Sequence, residues 1–193
     1  ARQSCQAAVE IITAIGELNE KWRTEGKEVF ATRIGINTGV SLVGNFGSSD
    51  RFNYTAIGDN VNLASRLEGL NKLYETEIIV SQSTAMAAGN EFIFRPLDIV
   101  AVKGRHGSVK IYQLLGSKEN AEAEDLLKIA SLSEEALQCY LNRSWRESYE
   151  KFQSLLAILQ EDPAAEMYLS RCRELHENPP GPDWDGVFRV QSK

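Results

Sequence analysis

The sequence is poor in the residues that build disulfide frameworks and zinc sites. Its 193 residues include three cysteines, Cys5, Cys139 and Cys172, and two histidines. The cysteines are odd in number and far apart, and the sequence has no CxxC pair. We therefore expect neither a disulfide framework nor a structural zinc site, and the cysteine content suits a reducing compartment.

Long apolar runs and clusters of positive charge are also missing. No apolar run approaches the roughly 18 residues that a membrane-spanning helix needs, and no signal peptide is visible. The formal net charge is −6, without a basic stripe or an arginine-rich run. We therefore expect this chain neither to span a membrane nor to bind nucleic acid. Its 42% hydrophobic and 25% charged residues are typical of a globular protein.

Helical and strand patterns interleave over roughly the first 116 residues. An amphipathic helix is predicted from residue 2 to about residue 23, and the segment 46–50 has the composition of a turn. Strands are predicted at 28–37, 40–45, 52–57, 77–80, 92–102 and 109–115, with a short helix at 81–88. This interleaving favours an α/β or α+β class with a mixed sheet.

The composition changes at residues 116–120, and strand signals are almost absent from there to about residue 174. Apolar residues at helical spacing predict a pair of helices, and Asp162-Pro163 begins a third. The pattern resembles one tetratricopeptide-repeat (TPR) unit. A single unit cannot bury both its faces, so it should lean on the first domain, a sister chain, or both. Residues 179–193 are predicted to form an extended, proline-rich tail, with Trp184 either docked or exposed.

The most informative segment is the stretch from residue 33 to residue 71. Gly35 and Gly39 lie where a backbone must turn or be approached closely. In the helix that follows, Asn62 and Arg66 are four residues apart and project from one face. An amide and a fixed cation aimed together suit a phosphate or a developing negative charge. Asp59 is predicted to be an N-cap or first-turn residue of that helix.

The ordered motifs of this region resemble those of the class III nucleotidyl cyclases. They are GINTG at 35–39, VGNFG at 43–47, YTAIGD at 54–59, VNLASRLE at 61–68 and LDIVAVKG at 97–104. The resemblance covers roughly residues 1–116 and rests on the ordered set rather than on any one motif. The remainder resembles the extension after the catalytic domain in some bacterial multidomain cyclases, which often carry upstream sensor and transmembrane segments.

The resemblance implies an α+β fold in two parts. A partial ferredoxin-like class III cyclase domain with a mixed or antiparallel sheet occupies residues 1–116. A small all-α, TPR-like module at 117–178 and the tail at 179–193 follow it. The implied enzyme serves cyclic-nucleotide signalling and makes a cyclic nucleotide and pyrophosphate from a nucleoside triphosphate. Two divalent ions, Mg²⁺ or Mn²⁺, assist, and the sites lie between the subunits of a head-to-tail homodimer.

Residue roles are implied position by position. Asn62 would orient the ribose through its ring oxygen, and Arg66 would stabilise the charge that grows on the α-phosphate, a task suited to a planar guanidinium. Lys103 would contact the terminal phosphates. Thr55 lies where the family reads the purine edge. A hydroxyl there is common in bacterial adenylate-type members, whereas guanylate-type members more often have cysteine, so ATP is the favoured substrate.

The family's two metal-binding aspartates have no counterpart in this sequence. They lie on early strands that would precede Ala1, and Asp50, Asp59 and Asp98 do not match their motifs. We therefore expect this chain to hold the half of the site that stabilises the transition state and to be inactive alone. It would form a cytoplasmic domain of a parent protein that can be membrane-anchored.

Three alternatives stay open at this point. The first is a guanylate cyclase of the same family. The second is a degenerate cyclase-like domain that only binds nucleotide or dimerises. The third is a protein-interaction module centred on the helical segment, in which residues 118–178 would bind a partner without the first domain.

Overall fold

The structure is a computed structural model that describes residues 1–48, 51–101 and 107–189. The helices within these ranges are α1 (Arg2–Thr24), α2 (Asp59–Tyr74), α3 (Gln82–Ala88), α4 (Ala123–Leu141), α5 (Trp145–Leu159) and α6 (Pro163–Glu177). The strands are β1 (Ile34–Ile36), β2 (Leu42–Ser48), β3 (Arg51–Ile57), β4 (Ile78–Ser81), β5 (Phe92–Ala101), β6 (Ser108–Ser117) and β7 (Phe188–Arg189). None of the helices in these ranges is long and apolar enough to cross a membrane.

Five of the strands form one mixed sheet in the order β1-β4-β6-β5-β7. The two outer pairs, β1 with β4 and β5 with β7, are parallel, and the inner pairs are antiparallel. Strands β2 and β3 form a separate antiparallel hairpin. The predicted α+β fold with a mixed sheet is therefore confirmed.

Strand β4 shows how the two faces of this sheet are covered. Its four residues are all buried, but they serve different cores because successive side chains point to opposite faces of a strand. Ile79 belongs to a cluster with Leu63 and Leu67 of α2. Ile78 and Val80 belong to a cluster on the other side that α1 and α3 help to form. Helix α2 is thereby fixed on one face of the sheet.

The strand predicted at 28–37 is much shorter than expected, because only Ile34–Ile36 pair with another strand. Upstream, the side chain of Asn19 takes over the backbone hydrogen bonds of Phe30. Asn19 Nδ2 donates to the Phe30 carbonyl at 2.8 Å, and the Phe30 N–H donates to Asn19 Oδ1 at 2.9 Å. The Phe30 ring also lies 5.1 Å from that of Trp22. These contacts with α1 replace a strand ladder, which the alternation of apolar residues could not reveal.

The turn predicted at 46–50 is also partly wrong, because β2 continues to Ser48. Gly47 pairs with Phe52 and has a φ of +151°, and a Cβ there would lie 1.9 Å from the Arg51 carbonyl oxygen. Glycine therefore serves a close approach inside the ladder. Asp50 lies outside the described residues.

Helices α4, α5 and α6 provide the predicted helix pair and third helix. They share a core in which the rings of Phe152 and Tyr168 stack 4.6 Å apart. Helix α4 packs on β5, so this helical segment leans on the first domain, as one of the predicted arrangements requires. Its TPR-like character is not confirmed and stays a prediction.

The proline-rich tail docks on this helical core. The Trp184 ring meets Tyr140 and Trp145 edge-on at 5.3 and 5.9 Å, and the Arg143 guanidinium lies 5.5 Å from its centre. The chain then forms β7, whose Phe188 pairs with Val100 of the main sheet. The sequence indicated no strand at β7, because two residues are too few to show a pattern.

Gly35 lets β1 lie directly against helix α2. A Cβ at this position would come within 2.2 Å of the Glu68 nitrogen and 2.3 Å of the Ala64 carbonyl oxygen, both backbone atoms. The predicted close backbone approach at Gly35 is therefore confirmed.

We expect Gly35→Ala to lower the free energy of unfolding by about 1–3 kcal/mol, because the strand and the helix must separate to accept the methyl group. The measurement is urea denaturation. Gly16→Ala is the matched control. Its added Cβ meets nothing within 4 Å, so this helix substitution should be neutral or slightly stabilising. A Gly35→Ala protein as stable as the unmodified chain would contradict the packing.

Candidate active site

Helix α2 follows strand β3 through the single residue Gly58. Its φ of +134° is rarely adopted by residues with a side chain, and its carbonyl accepts from the N–H groups of Val61 and Asn62, each at 3.1 Å. Gly58 occupies the N-cap position, and Asp59 lies in the first turn. A carboxylate there interacts favourably with the exposed amide N–H groups at the start of the helix. The first-turn prediction for Asp59 is thus confirmed. This junction sets where the helix starts.

The start of α2 is further held by its second residue, Asn60. Its Nδ2 donates to the Val40 carbonyl at 2.7 Å, while Asn37 Nδ2 donates to the Asn60 carbonyl at 3.0 Å. Gly39 makes this contact possible, because a Cβ there would lie 2.4 Å from the Asn60 amide. The predicted close approach at Gly39 is confirmed, with a side chain as the neighbour.

Residues 37–40, which connect β1 to β2, form a turn that is also hydrogen-bonded to the N-terminal residues of α3. Ser83 Oγ donates to the Thr38 carbonyl at 2.8 Å and to Asn37 Oδ1 at 3.2 Å. The Thr38 and Thr84 hydroxyls are 3.0 Å apart. The turn at 37–40 is therefore held by polar contacts from two helices, and it in turn holds the first residues of α2.

Asn62 and Arg66 both project from the exposed side of α2. The residues that follow them, Leu63 and Leu67, are 2% and 0% exposed and anchor the opposite side in the core. Neither Asn62 nor Arg66 forms a side-chain hydrogen bond with another residue of the described ranges. The helix therefore presents an amide and a guanidinium outward while its buried side prevents rotation.

The other two candidate residues, Thr55 and Lys103, do not lie on α2. Thr55 is exposed on β3, opposite Gly44 of β2, and β3 contacts α2. Lys103 lies outside the described residues. The structure thus places three of the four candidate residues on one strand–helix unit, without enclosing them in a cavity.

The hairpin next to these residues carries exposed large apolar side chains. Between 41% and 77% of their surface is accessible. They are Leu42, Val43, Phe52, Tyr54 and Ile57, which we call the hairpin surface. Because successive side chains of a strand alternate between faces, Val43, Phe52 and Tyr54 share one face of the hairpin, and Leu42 and Ile57 share the other. Exposed apolar side chains that share a face can form an interaction site.

Residues 1–116 match the model of the adenylate and guanylate cyclase catalytic domain. The chain belongs to this family. It is 39% identical over 116 residues to adenylate cyclase 1 of Rhizobium meliloti, covering 60% of this chain and 17% of that protein. It is 35% identical over 144 residues to the terminal-differentiation specific adenylate cyclase of Dictyostelium discoideum, covering 73% of this chain and 7% of that protein. The chain thus spans less than a fifth of the length of either relative.

A solved structure also resembles this cyclase domain. The crystal structure of the guanylyl cyclase Cya2 is 34% identical, with a TM-score of 0.50, over 58% of this chain and 56% of that one. Catalytic domains of this family generally depend on metal ions and dimerise.

The described part of this cyclase domain does not fit a two-ion site. In residues 1–48, 51–101 and 107–189, no three His, Cys, Asp or Glu side chains group together as metal ligands would. Asp98 is buried and engaged by Tyr74 Oη at 2.8 Å and Arg171 Nη1 at 2.7 Å. No catalytic step is therefore assigned to an ion held by these residues.

The sequence patterns did not predict that Asn37, Asn60 and Ser83 hold the start of α2. Asn37 and Asn60 are 23 residues apart, and Ser83 is 46 residues from Asn37. The signal that could have found them is weak. Asn60 is a poor helix former placed in a first turn, where such a residue often makes a local hydrogen bond.

Proposed function

We propose that this chain is part of an adenylate cyclase, which converts ATP to cyclic AMP and pyrophosphate, and that α2 carries its transition-state residues. The observation that supports this most directly is the placement of Asn62 and Arg66. Both stand at the cyclase motif positions, on one exposed helix face whose other side is buried. An outward-facing amide and guanidinium on a rigid element are what a nucleotide bound against the helix would need.

The roles follow from the chemistry of cyclisation. The 3'-hydroxyl oxygen forms a bond to the α-phosphorus, the hydroxyl loses its proton, and the bond to the pyrophosphate oxygen breaks. Negative charge grows on the α-phosphate oxygens, where the planar fork of Arg66 can donate two N–H groups. Asn62 would hold the ribose by donating its amide N–H to the ring oxygen. Binding the ribose and the phosphate from one helix would align the attacking and leaving oxygens.

The remaining assignments belong to the same proposal. Thr55 would read the purine edge from β3, and Lys103 would bind the terminal phosphates as a compact charge. The two divalent ions, Mg²⁺ or Mn²⁺, would be held by residues other than those described, which contain no group of suitable ligands.

The exposure of these residues supports a site completed by a second copy of the chain. An isolated copy leaves Thr55, Asn62 and Arg66 in contact with solvent, beside the apolar hairpin surface. Catalysis by charge stabilisation is stronger where water is excluded. A homodimer that buries the hairpin surface would exclude water and enclose the nucleotide.

A guanylate cyclase is the second candidate, favoured by the resemblance to the guanylyl cyclase structure. The two candidates differ in the base that Thr55 would contact. The hydroxyl of Thr55 and the names of the two curated relatives favour ATP.

We expect a fusion protein to decide between the adenylate cyclase and the guanylate cyclase assignments. This cyclase fusion joins the part of the Rhizobium meliloti relative that precedes the matched segment to the full 193-residue chain. With Mn²⁺, it should form cyclic AMP from ATP at least about tenfold faster than cyclic GMP from GTP, because a mismatched polar base edge commonly costs more than 1.4 kcal/mol. The chain alone should form neither product.

The controls separate the outcomes. Asn62→Ala in the cyclase fusion should lose activity, while Lys72→Ala, in the last turn of the same helix, should not. Cyclic GMP as the main product would overturn the adenylate assignment. A folded, dimeric cyclase fusion without either product would favour the degenerate binding module, and an active fusion that sediments as a monomer would contradict the composite site.

A further inference from the structure

We propose that the C-terminal extension positions the candidate active site, with Arg171 acting through Asp98 and Tyr74 on the helix that carries Asn62 and Arg66. This deepens the proposed function and depends on it for its catalytic consequence. Arg171 would be a positioning residue, because it lies on α6 and acts through two other side chains.

The first observation is a core that the two parts of the chain share. Ala164 and Met167 of α6 pack in the same cluster as Leu63 and Leu67 of α2. Ala164 is 2% exposed and therefore buried in this cluster, and the half-buried Met167 packs against it. Because Leu63 and Leu67 directly follow Asn62 and Arg66, their packing sets the direction in which the site residues project.

The second observation is a buried polar node at the end of α2. Tyr74, the last residue of α2, donates its hydroxyl to Asp98 at 2.8 Å. Arg171 Nη1 donates to the same carboxylate oxygen at 2.7 Å, and the Ile99 N–H donates to the other oxygen at 2.7 Å. The Asp98 side chain is 1% exposed and that of Arg171 15% exposed. Asp98 on β5 therefore links the site helix to the extension.

The protonation states support this linkage. Burial, and then the Asp98 carboxylate, raise the pKa of Tyr74 above its ordinary value, so its hydroxyl keeps the proton that it donates. Burial is the largest single influence on the pKa of Arg171 and would lower it, but Asp98, Tyr168 and Tyr74 together raise that pKa above its ordinary value. The node is thus a buried carboxylate with a permanent cation and a neutral donor.

The third observation is that the tail holds Arg171 from the other side. The Arg171 guanidinium lies 4.1 Å from the centre of the Phe188 ring, and Phe188 pairs with Val100 in the main sheet. The cation therefore lies between strand β7 and the node. Removing it leaves Asp98 buried without its counter-ion, which is costly. The side chain that would remain bonded to that unpaired carboxylate is Tyr74, the last residue of α2.

Amide hydrogen exchange on the full 193-residue chain tests the positioning without requiring activity. Arg171→Ala should raise exchange in α2 at least about tenfold, with little change in α5, because opening would be local. Tyr74→Phe, which removes one hydroxyl, should raise exchange in α2 by a smaller factor. Arg173→Ala is the matched control, since this exposed arginine on the same helix bonds to Tyr149. It should leave α2 unchanged.

Turnover of the cyclase fusion tests the catalytic consequence. Arg171→Ala should lower kcat, normalised to folded protein, about tenfold with KM changed less than about twofold, and Arg171→Lys should restore part of it. Unchanged exchange in α2, or an equal rise throughout the chain, would overturn the proposal. So would a normal kcat for Arg171→Ala. If the unmodified cyclase fusion forms no product, the proposed function fails, while the exchange result still decides the positioning.

Discussion

Replacing Arg66 by alanine in the cyclase fusion is expected to reduce kcat at least about 100-fold, with KM for ATP changed less than about threefold. Arg66 would donate to oxygens whose negative charge grows as the reaction proceeds. An interaction that strengthens only toward the transition state affects turnover more than ground-state binding. Among the substitutions considered for this chain, this one should have the largest effect on activity.

The fold should tolerate that substitution. Arg66 is exposed and has no side-chain hydrogen bond within the described residues, whereas the neighbouring Leu67 carries the packing. Arg66→Lys should fall between Arg66→Ala and the unmodified enzyme, because an ammonium keeps the charge but loses the two-pronged geometry. Steady-state kinetics with thermal denaturation of each variant separate turnover from folding.

Lys72→Ala provides the matched control for Arg66→Ala. Lys72 is an exposed cation in the last turn of the same helix, away from the motif positions. Its loss should leave kcat within about twofold, as is usual for an exposed surface residue. Near-normal turnover of Arg66→Ala would rule out its assigned role, and equal losses in the two variants would indicate a general charge effect.

Replacing Asp162 by alanine is expected to lower the free energy of unfolding by about 3–5 kcal/mol, the largest stability effect that we foresee. Arg95 on β5 and Asp162 before α6 are 4% and 6% exposed. Their side chains pair in a two-pronged manner, with Arg95 Nη1 at 3.2 Å from Asp162 Oδ1 and Nη2 bonded to Oδ2. Arg95 Nε also donates to Ser133 of α4 at 3.0 Å. The alanine substitution would leave a buried guanidinium without its counter-ion.

The double variant Arg95→Met with Asp162→Leu tests this explanation. Because it removes both charges and keeps apolar volume, it should be much closer in stability to the unmodified chain than Asp162→Ala is. Lys128→Ala, which breaks only exposed ion pairs, should leave the free energy of unfolding close to that of the unmodified chain. Guanidinium denaturation measures all four proteins. A loss below about 1 kcal/mol for Asp162→Ala would show that the pair does not hold the extension to the sheet.

Local patterns were sufficient for much of the fold. Apolar residues at helical spacing predicted α1, and strand patterns at 92–102 and 109–115 predicted β5 and β6. The sequence patterns gave wrong predictions where backbone atoms contact residues outside their own helix, strand or turn. Phe30, Ile34 and Ile36 largely alternate as in a strand, yet the Asn19 side chain bonds the Phe30 backbone. Gly47 suggested a turn, although its missing side chain serves a strand contact.

The residues of the candidate site also fall into those that local patterns could predict and those that depend on distant contacts. Asn62 and Arg66 could be selected from the sequence, because a four-residue spacing on a helix defines a common face. The groups that hold that face could not, since Asp98 and Arg171 are 73 residues apart in the chain. Neither residue stood out: Asp98 sits in a strand pattern, and Arg171 is one of several charges on a helix.

The sequence by itself determined the family, the position of each motif and the helix that presents Asn62 and Arg66. Only the tertiary structure showed that the C-terminal extension shares a core with that helix and pairs a strand with the same sheet. The physical reason is the range of the interactions. Periodicity and turn chemistry act over a few neighbouring residues, whereas a buried ion pair or a shared core depends on how distant segments pack together.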